Sequence, residues 1–188
     1  MKNREAVQCF ENCCNKCNQK SISKLLVAPF EINNLQVKRL LSYFLHLAPN
    51  IESTHSIKID KDKHNEIFSR MFENRRFKYA KFCASNAKID NELLKGYLYG
   101  DLICLKCKRY VCKKKKGKIN QEETDLECFL RHIRNAIAHG RVYYCHAGNR
   151  VHIIFEDMND KGSISARIVC IKADLLFWKR ILTENYYS

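Results

Sequence analysis

One segment constrains the fold of this chain more than any other. Gln121 to His139 reads as an amphipathic helix, because Leu126, Phe129, Leu130, Ile133 and Ile137 recur at three- and four-residue steps and form a single apolar stripe. Glu122, Glu123, Asp125 and Glu127 load its first turns with acid, which suits the positive end of the helix dipole. Thr124 stands near the start. Gly140 follows the end, where a left-handed residue commonly stops a helix. Such a stripe must be covered, so the rest of the chain has to supply a packing layer.

Upstream, the pattern is mostly helical. Residues 1–28 form a Cys-rich lead in which Cys9, Cys13 and Cys17 share a face if the segment is helical. From Glu31, Leu35, Val37, Leu40, Leu41, Phe44, Leu45 and Ala48 repeat at helical spacing until Pro49-Asn50. Residues 50–60 read as a loop. A second helix is predicted through Ile67, Phe68, Met71, Phe72, Phe77, Ala80, Phe82 and Cys83, and a third from about Asp90 to Tyr110. Lys113 to Lys116 reads as an exposed loop, since like charges packed this closely repel.

Downstream the character changes. Val142 to His146, Val151 to Phe155 and Ile164 to Ile171 are short β-branched or aromatic runs, separated by Gly148-Asn149 and by Asn159 to Gly162. In the last run Ile164, Ala166, Ile168 and Cys170 alternate with Ser165, Arg167 and Val169. Asp174 opens a closing helix with Leu175, Trp178 and Leu182 on one face. The expectation is one α+β domain over residues 1–188, mainly α. It comprises a helical bundle, a three-stranded antiparallel meander at 141–171 and a closing helix at 173–186.

Charge narrows the partners. Lys and Arg number 34 against 20 Asp and Glu, a formal net charge of +14. A field of that sign attracts polyanions, chiefly nucleic acid, although Lys-rich composition and solvated surface lysines produce the same count. No stretch reaches the roughly 18 apolar residues of a membrane helix. The first residues lack the apolar core of a secretory signal, so a cytoplasmic location without membrane contact is expected. The 11 cysteines are odd in number, which fits free thiols or metal ligands better than a disulfide framework. Cys14-x-x-Cys17 and Cys104-x-x-Cys107 would make two halves of a zinc site; the same spacing also fits buried helical thiols.

The chemistry-bearing feature is the end of the acidic-start helix, Arg134-Asn135-Ala136-Ile137-Ala138-His139-Gly140. Arg134 and His139 lie about 7.5 Å apart along a helix axis, and His139 is free to leave the helical path just before Gly140. An Arg that forks onto a phosphate and a His that moves protons near neutral pH make a phosphodiester-cleaving pair. The same two residues also fit a dipole-stabilising His and a surface charge.

This run resembles the signature of the HEPN superfamily, the higher eukaryote and prokaryote nucleotide-binding domains: Arg, four residues with a polar one first, then His. Asn135 fills the polar position. Val142 to Leu182, with its β-runs and Trp-bearing helix, resembles a bacterial branch of HEPN-family nucleases. Phe30-Glu31-Ile32, Leu40-Leu41 and Leu47-Ala48-Pro49 are more weakly similar to that branch's N-terminal helix. The resemblance implies a HEPN-like helical bundle, a homodimer with facing motif helices, and endoribonuclease activity without metal or other cofactor. It casts the protein as a toxin or antiphage effector, with RNA as substrate and an antitoxin or regulatory protein as partner.

Residue by residue, the resemblance implies that Arg134 neutralises the scissile phosphate. His139 deprotonates the 2′-hydroxyl or protonates the leaving oxygen, leaving a 2′,3′-cyclic phosphate and a 5′-hydroxyl. Asn135 orients the phosphate or Arg134. Arg131 either adds charge to the cleft or pairs with Glu127. Lys113, Lys114, Lys115 and Lys116 either hold RNA beside the cleft or are simply solvated. His132 reads as a core or surface residue. One position departs from the pattern. Superfamily toxins paired with a nucleotidyltransferase antitoxin carry a modifiable Tyr two residues after the His, where this chain has Arg141; Tyr143 and Tyr144 are out of register. The alternative to a nuclease is a non-catalytic RNA- or nucleotide-binding or interaction module of the same fold.

Overall fold

The computed structural model describes residues 19–29, 31–48, 61–77, 81–83, 98, 102–105, 108–115 and 123–186. Twelve elements follow in chain order: β1 (Gln19–Ser21), β2 (Leu26–Val27), α1 (Leu35–Ser42), α2 (Lys61–Phe72), β3 (Lys81–Cys83), β4 (Leu102–Cys104), β5 (Arg109–Lys113), α3 (Asp125–Ala138), β6 (Val142–Ala147), β7 (Arg150–Met158), β8 (Ile164–Ile171) and α4 (Lys172–Tyr186). Asn34 caps α1 by accepting from the Val37 amide, and the chain runs on through a π-helical turn at Tyr43–Leu47.

The meander β6-β7-β8 forms as expected, but within a larger sheet. Six strands lie in the order β2-β6-β7-β8-β5-β3. Every pairing is antiparallel except β3 with β5. A separate antiparallel pair joins β1 to β4. The chain is thus α+β; among the described residues, four helices lie against a six-stranded mixed sheet, larger than the expected three-stranded meander.

Alternation along the strands sorts the side chains into two cores. Tyr110, Cys112, Val142, Tyr144, Val151, Ile153, Phe155, Ala166, Ile168 and Cys170 face the helices and join the buried residues of α1, α2, α3 and α4. On the other face Val111, Ile154 and Val169 pack with Ile22, Leu25, Leu98, Ile103 and Leu105. The face of Ser165, Arg167 and Val169 is therefore a second core and not a solvated one. Arg167 is buried there and bonds Glu156 through Nε at 3.1 Å and Nη2 at 2.6 Å. Phe129 of α3 lies at the centre of an aromatic group with Phe68, Phe72, Tyr110 and Trp178. The Trp178 indole donates to the Met71 carbonyl at 2.9 Å, tying α4 to α2.

Two expected helices are corrected. The pattern through Ile67 and Phe77 ends at Phe72, because Asn74 and Arg76 adopt φ of 54° and 53° and turn the chain. Lys81 to Cys83 is then a strand. The leucine spacing after Asp90 does not carry a helix to Tyr110. Leu102–Cys104 and Arg109–Lys113 are strands, and the Tyr110-Val111 pair suits a pleated surface. Cys9, Cys13 and Cys17 lie outside the described residues. Among the described residues no helix is long and apolar enough to cross a membrane.

Candidate functional site

The site is built on α3. Its start is a capping box: Thr124 accepts from the Glu127 amide at 3.3 Å, and the Glu127 carboxylate accepts from the Thr124 amide at 2.6 Å. Its end is a Schellman motif. Gly140, at φ 66°, donates to Ile137, and the Arg141 amide donates to Ala136 at 2.7 Å. Both ends are therefore fixed by backbone chemistry, and α3 lies against β7 as a rigid ruler.

Along this ruler the polar residues separate. Arg131 is only 7% exposed. Its guanidinium binds both oxygens of Glu123, at 2.5 Å from Nε and 2.8 Å from Nη2, and reaches the Lys113 carbonyl at 3.2 Å. Neither expectation for Arg131 holds: it does not line a surface, and its partner is Glu123, because Glu127 is occupied in the cap. Burial pushes the Glu123 carboxyl up, but Arg131 and the Lys115 amide outweigh this and hold it below its ordinary value.

Of the two expectations for His132, core and surface, the core one holds. It is buried, with Nδ1 at 2.6 Å from Asp157 Oδ2 and Nε2 at 2.9 Å from the Lys113 carbonyl. Burial alone favours the neutral ring. The Asp157 carboxylate and the Cys128 thiol overcome it and push the pKa up to about 9. Burial also raises the Asp157 carboxyl, while His132, Asn135 and Ser165 bring it below the usual carboxylate range. Sequence reasoning missed Asp157. The available signal was a carboxylate two residues past Phe155, on the strand face that meets α3.

The signature residues occupy the C-terminal end. Arg134 is half-buried, and its Nη2 donates at 2.8 Å to the carbonyl of Ala48, which closes the π-helical turn. A cation thereby meets the negative end of that turn, and the guanidinium is anchored. Asn135 donates from Nδ2 to Asp157 Oδ2 at 3.2 Å. His139 is the C-cap, with φ −90° and ψ 9°, and is exposed beside exposed Ala138. Arg134 and Asn135 are adjacent on the helix, and His139 follows one turn later.

The lysine run is placed differently. Lys113 ends β5, its carbonyl shared by Arg131 and His132. Lys114 pairs with Asp125 at the start of α3, 14 residues before His139 and so about 21 Å away along the axis. The Lys115 amide donates to Glu123. The run thus lies along the N-terminal half of α3; Lys116 lies outside the described residues. Arg141, at the position of the toxin tyrosine, is 4.0 Å from Glu156.

Among the described residues no three His, Cys, Asp or Glu side chains form a metal-binding group. Cys104 is buried and takes part in a disulfide, whereas Cys14, Cys17 and Cys107 lie outside the described residues. Chemically, the end of α3 offers an anchored cation, an oriented carboxamide and an exposed imidazole.

Neither the curated proteins nor the solved structures contain a match. The family model described as HEPN pEK499 p136 matches residues 19–179, a span that contains the whole sheet, α3 and Arg131, His132, Arg134, Asn135, His139 and Asp157. The chain belongs to the HEPN pEK499 p136 family.

Proposed function

We propose that this protein is an endoribonuclease that cleaves RNA by 2′-hydroxyl attack, without a metal, at the C-terminal end of α3. The observation that carries the reading is the pairing of an anchored Arg134 with an exposed C-cap His139 on one rigid helix. Arg134 neutralises the phosphate, and its Ala48 bond limits the rotamer freedom lost on binding. His139 closes the helical ladder through its amide, which donates to the Asn135 carbonyl at 2.9 Å, while its side chain is exposed to solvent and substrate. The net charge of +14 favours a polyanionic substrate. Lys113, Lys114 and Lys115 extend that attraction along α3, away from the reacting phosphate.

A second copy of the chain completes the site in this reading, so that one His139 serves as base and the other as acid. Exposed Leu47, next to the Ala48 that holds Arg134, and small Ala138 support packing at this end of α3. The setting is the cytosol, as a toxin or antiphage effector under the control of a regulatory protein.

The test is cleavage of total RNA and tRNA in excess EDTA by the parent, Arg134→Ala and His139→Ala, with product ends mapped and mass measured in solution. The expected result is EDTA-resistant cleavage by a dimer, leaving cyclic phosphates, and lost in both variants. Salt-sensitive RNA binding without cleavage would replace this reading with that of a binding module.

A further inference from the structure

We propose that Asp157 and His132 form a charge-balanced positioning pair for Asn135: the carboxylate holds the Asn135 carboxamide by its nitrogen, and the imidazolium cancels the carboxylate's charge next to the phosphate site. The proposal rests on the reading of the α3 end as an RNA-cleaving site.

Three elements converge on one oxygen. Asp157 Oδ2, on β7, accepts from His132 Nδ1 at 2.6 Å and Asn135 Nδ2 at 3.2 Å on α3, and from Ser165 Oγ on β8 at 3.3 Å. His132 and Asn135 are three residues apart, hence neighbours on one helix face. Asp157 Oδ1 is buried with no hydrogen-bond partner among the described residues. A buried carboxylate bonded on one oxygen only is a costly way to join a helix to a strand, since an apolar pair of similar volume would stabilise as well or better. Its position, one hydrogen bond from Asn135, points to the site.

Geometry also gives the protonation state of His132. Its Nε2 lies at 2.9 Å from the Lys113 carbonyl, an acceptor only, so Nε2 carries a proton. Its Nδ1 lies at 2.6 Å from the ionised Asp157 carboxylate, an acceptor only, and at 3.5 Å from Arg131 Nη1, a donor only; the much shorter contact gives Nδ1 a proton too. A ring that donates from both nitrogens is an imidazolium, in accord with its pKa of about 9. The other charged and titratable groups facing it are Cys128, Arg131 and Glu123, the last already bound by Arg131.

Two consequences follow for the site. With one N–H held by Asp157, the Asn135 carboxamide keeps a single orientation and offers Oδ1 as an acceptor, suited to a hydroxyl or a guanidinium. With His132 charged, the carboxylate does not repel the incoming phosphodiester. Without His132, an uncompensated negative charge would stand one residue from Arg134, and the loss would fall on substrate binding. Asp157 and His132 are positioning residues, since they act through Asn135.

The experiment compares RNA cleavage by the parent, His132→Gln and the double variant His132→Gln/Asp157→Asn, each first shown to be folded. His132→Gln is expected to raise KM about ten-fold, the size of a charge–charge interaction screened nearly as in bulk water, with a smaller change in kcat. The double variant is expected to recover most of that KM, because both charges are gone and the introduced carboxamide still offers Asn135 an acceptor. A merely structural pair would change melting temperature and kcat together and would show no recovery of KM. A folded His132→Gln with parental KM, or a double variant no better than the single, overturns the proposal.

A second measurement needs no variant. Nitrogen chemical shifts of the His132 ring at pH 8 are expected to show both nitrogens protonated, and a neutral ring overturns the proposal. If the parent does not cleave at all, the nuclease reading fails separately. The pair is then judged by affinity for a 2′-O-methylated RNA: the same order among the three proteins supports charge balance, and equal affinities overturn it.

Discussion

Helix α3 carries two arginine–histidine sets little more than a turn apart, and they behave in opposite ways. Arg131 and His132 are 7% and 1% exposed. Their partners within the chain include acids, a backbone carbonyl and a thiol, and the two also touch each other at 3.5 Å. Arg134 is half-buried on one backbone carbonyl, and His139 is exposed where the helix ends. Identical residue types thus serve different ends, and the sorting comes from position on the helix. The first set faces β7 and the segment before α3, where burying a charge demands a counter-charge. The second stands at the C-terminus, where the ladder stops and a ligand can approach.

The largest expected effects would break this comparison if they failed. Arg134→Ala and His139→Ala should each lower RNA cleavage by about 10²–10⁴-fold, the usual contribution of a proton-transfer or charge-stabilising group. Stability of the His139 variant should change by no more than about 0.5 kcal/mol, as for exposed positions generally. Arg131→Ala should do the reverse. It leaves the Glu123 carboxylate buried without its partner, a loss of about 3–5 kcal/mol, visible as a lower urea midpoint. Equal stability losses at Arg131 and His139 would erase the distinction between the two sets.

Next comes pH. The folded-state pKa of His132 is raised, so its contribution is complete below its unfolded value of about 6.5 and is lost as pH rises through about 9. Asp157 is lowered, so its contribution is complete above its unfolded value of about 3.9 and is lost as pH falls. Together they predict a plateau in melting temperature between about pH 4 and 6.5, then a decline toward pH 9. Cys128 works against that decline. Burial raises its thiol pKa, but Cys112 and His132 bring it below the ordinary value, and a lowered pKa adds stability as pH rises. The fall should therefore be steepest in Cys128→Ser and should flatten in Asp157→Asn, as measured by melting temperature across pH. An alkaline limb untouched by Asp157→Asn would detach His132 from the pair.

Much of α3 was legible because its information is local. Thr124, Glu127, the apolar stripe and Gly140 act within a few residues of one another, although the helix starts at Asp125, after its Thr124 cap, and not at Gln121 where the acidic run suggested. The meander was legible for the same reason, its strands being joined by short Gly- and Asn-containing turns. The rest of the sheet was not. Strands β2, β3 and β5 join through pairings distant in sequence, and at Leu102–Cys104 and Arg109–Lys113 sheet pairing overrides the helical leucine spacing. In the site, the signature residues could be read from six consecutive positions. The Arg131–Glu123 and His132–Asp157 pairs could not, since helical spacing proposes only partners three or four residues away, while Glu123 and Asp157 are 8 and 25 residues distant.

The smallest effects distinguish the two ends of α3 most sharply. Thr124→Ala removes the N-terminal cap and should cost about 1 kcal/mol. Gly140→Ala should cost a similar amount, about 1–2 kcal/mol, because φ 66° is strained for a residue with a Cβ. An added Cβ at Gly140 would meet no other atom within 4 Å, so the penalty is conformational and not steric. The melting curves of the two variants should therefore nearly coincide, while their activities diverge. Strain at position 140 relaxes through its neighbours, and its N-terminal neighbour is His139, whose φ and ψ set where the imidazole stands. Gly140→Ala should lower cleavage about ten-fold or more, as expected when a catalytic group shifts by a fraction of an ångström to an ångström. Thr124→Ala should leave cleavage near the parental rate, because the end it loosens lies about 21 Å from His139 along the axis. Equal losses of activity in the two variants would mean that α3 does not act as a rigid ruler, and that the two arginine–histidine sets are coupled through it.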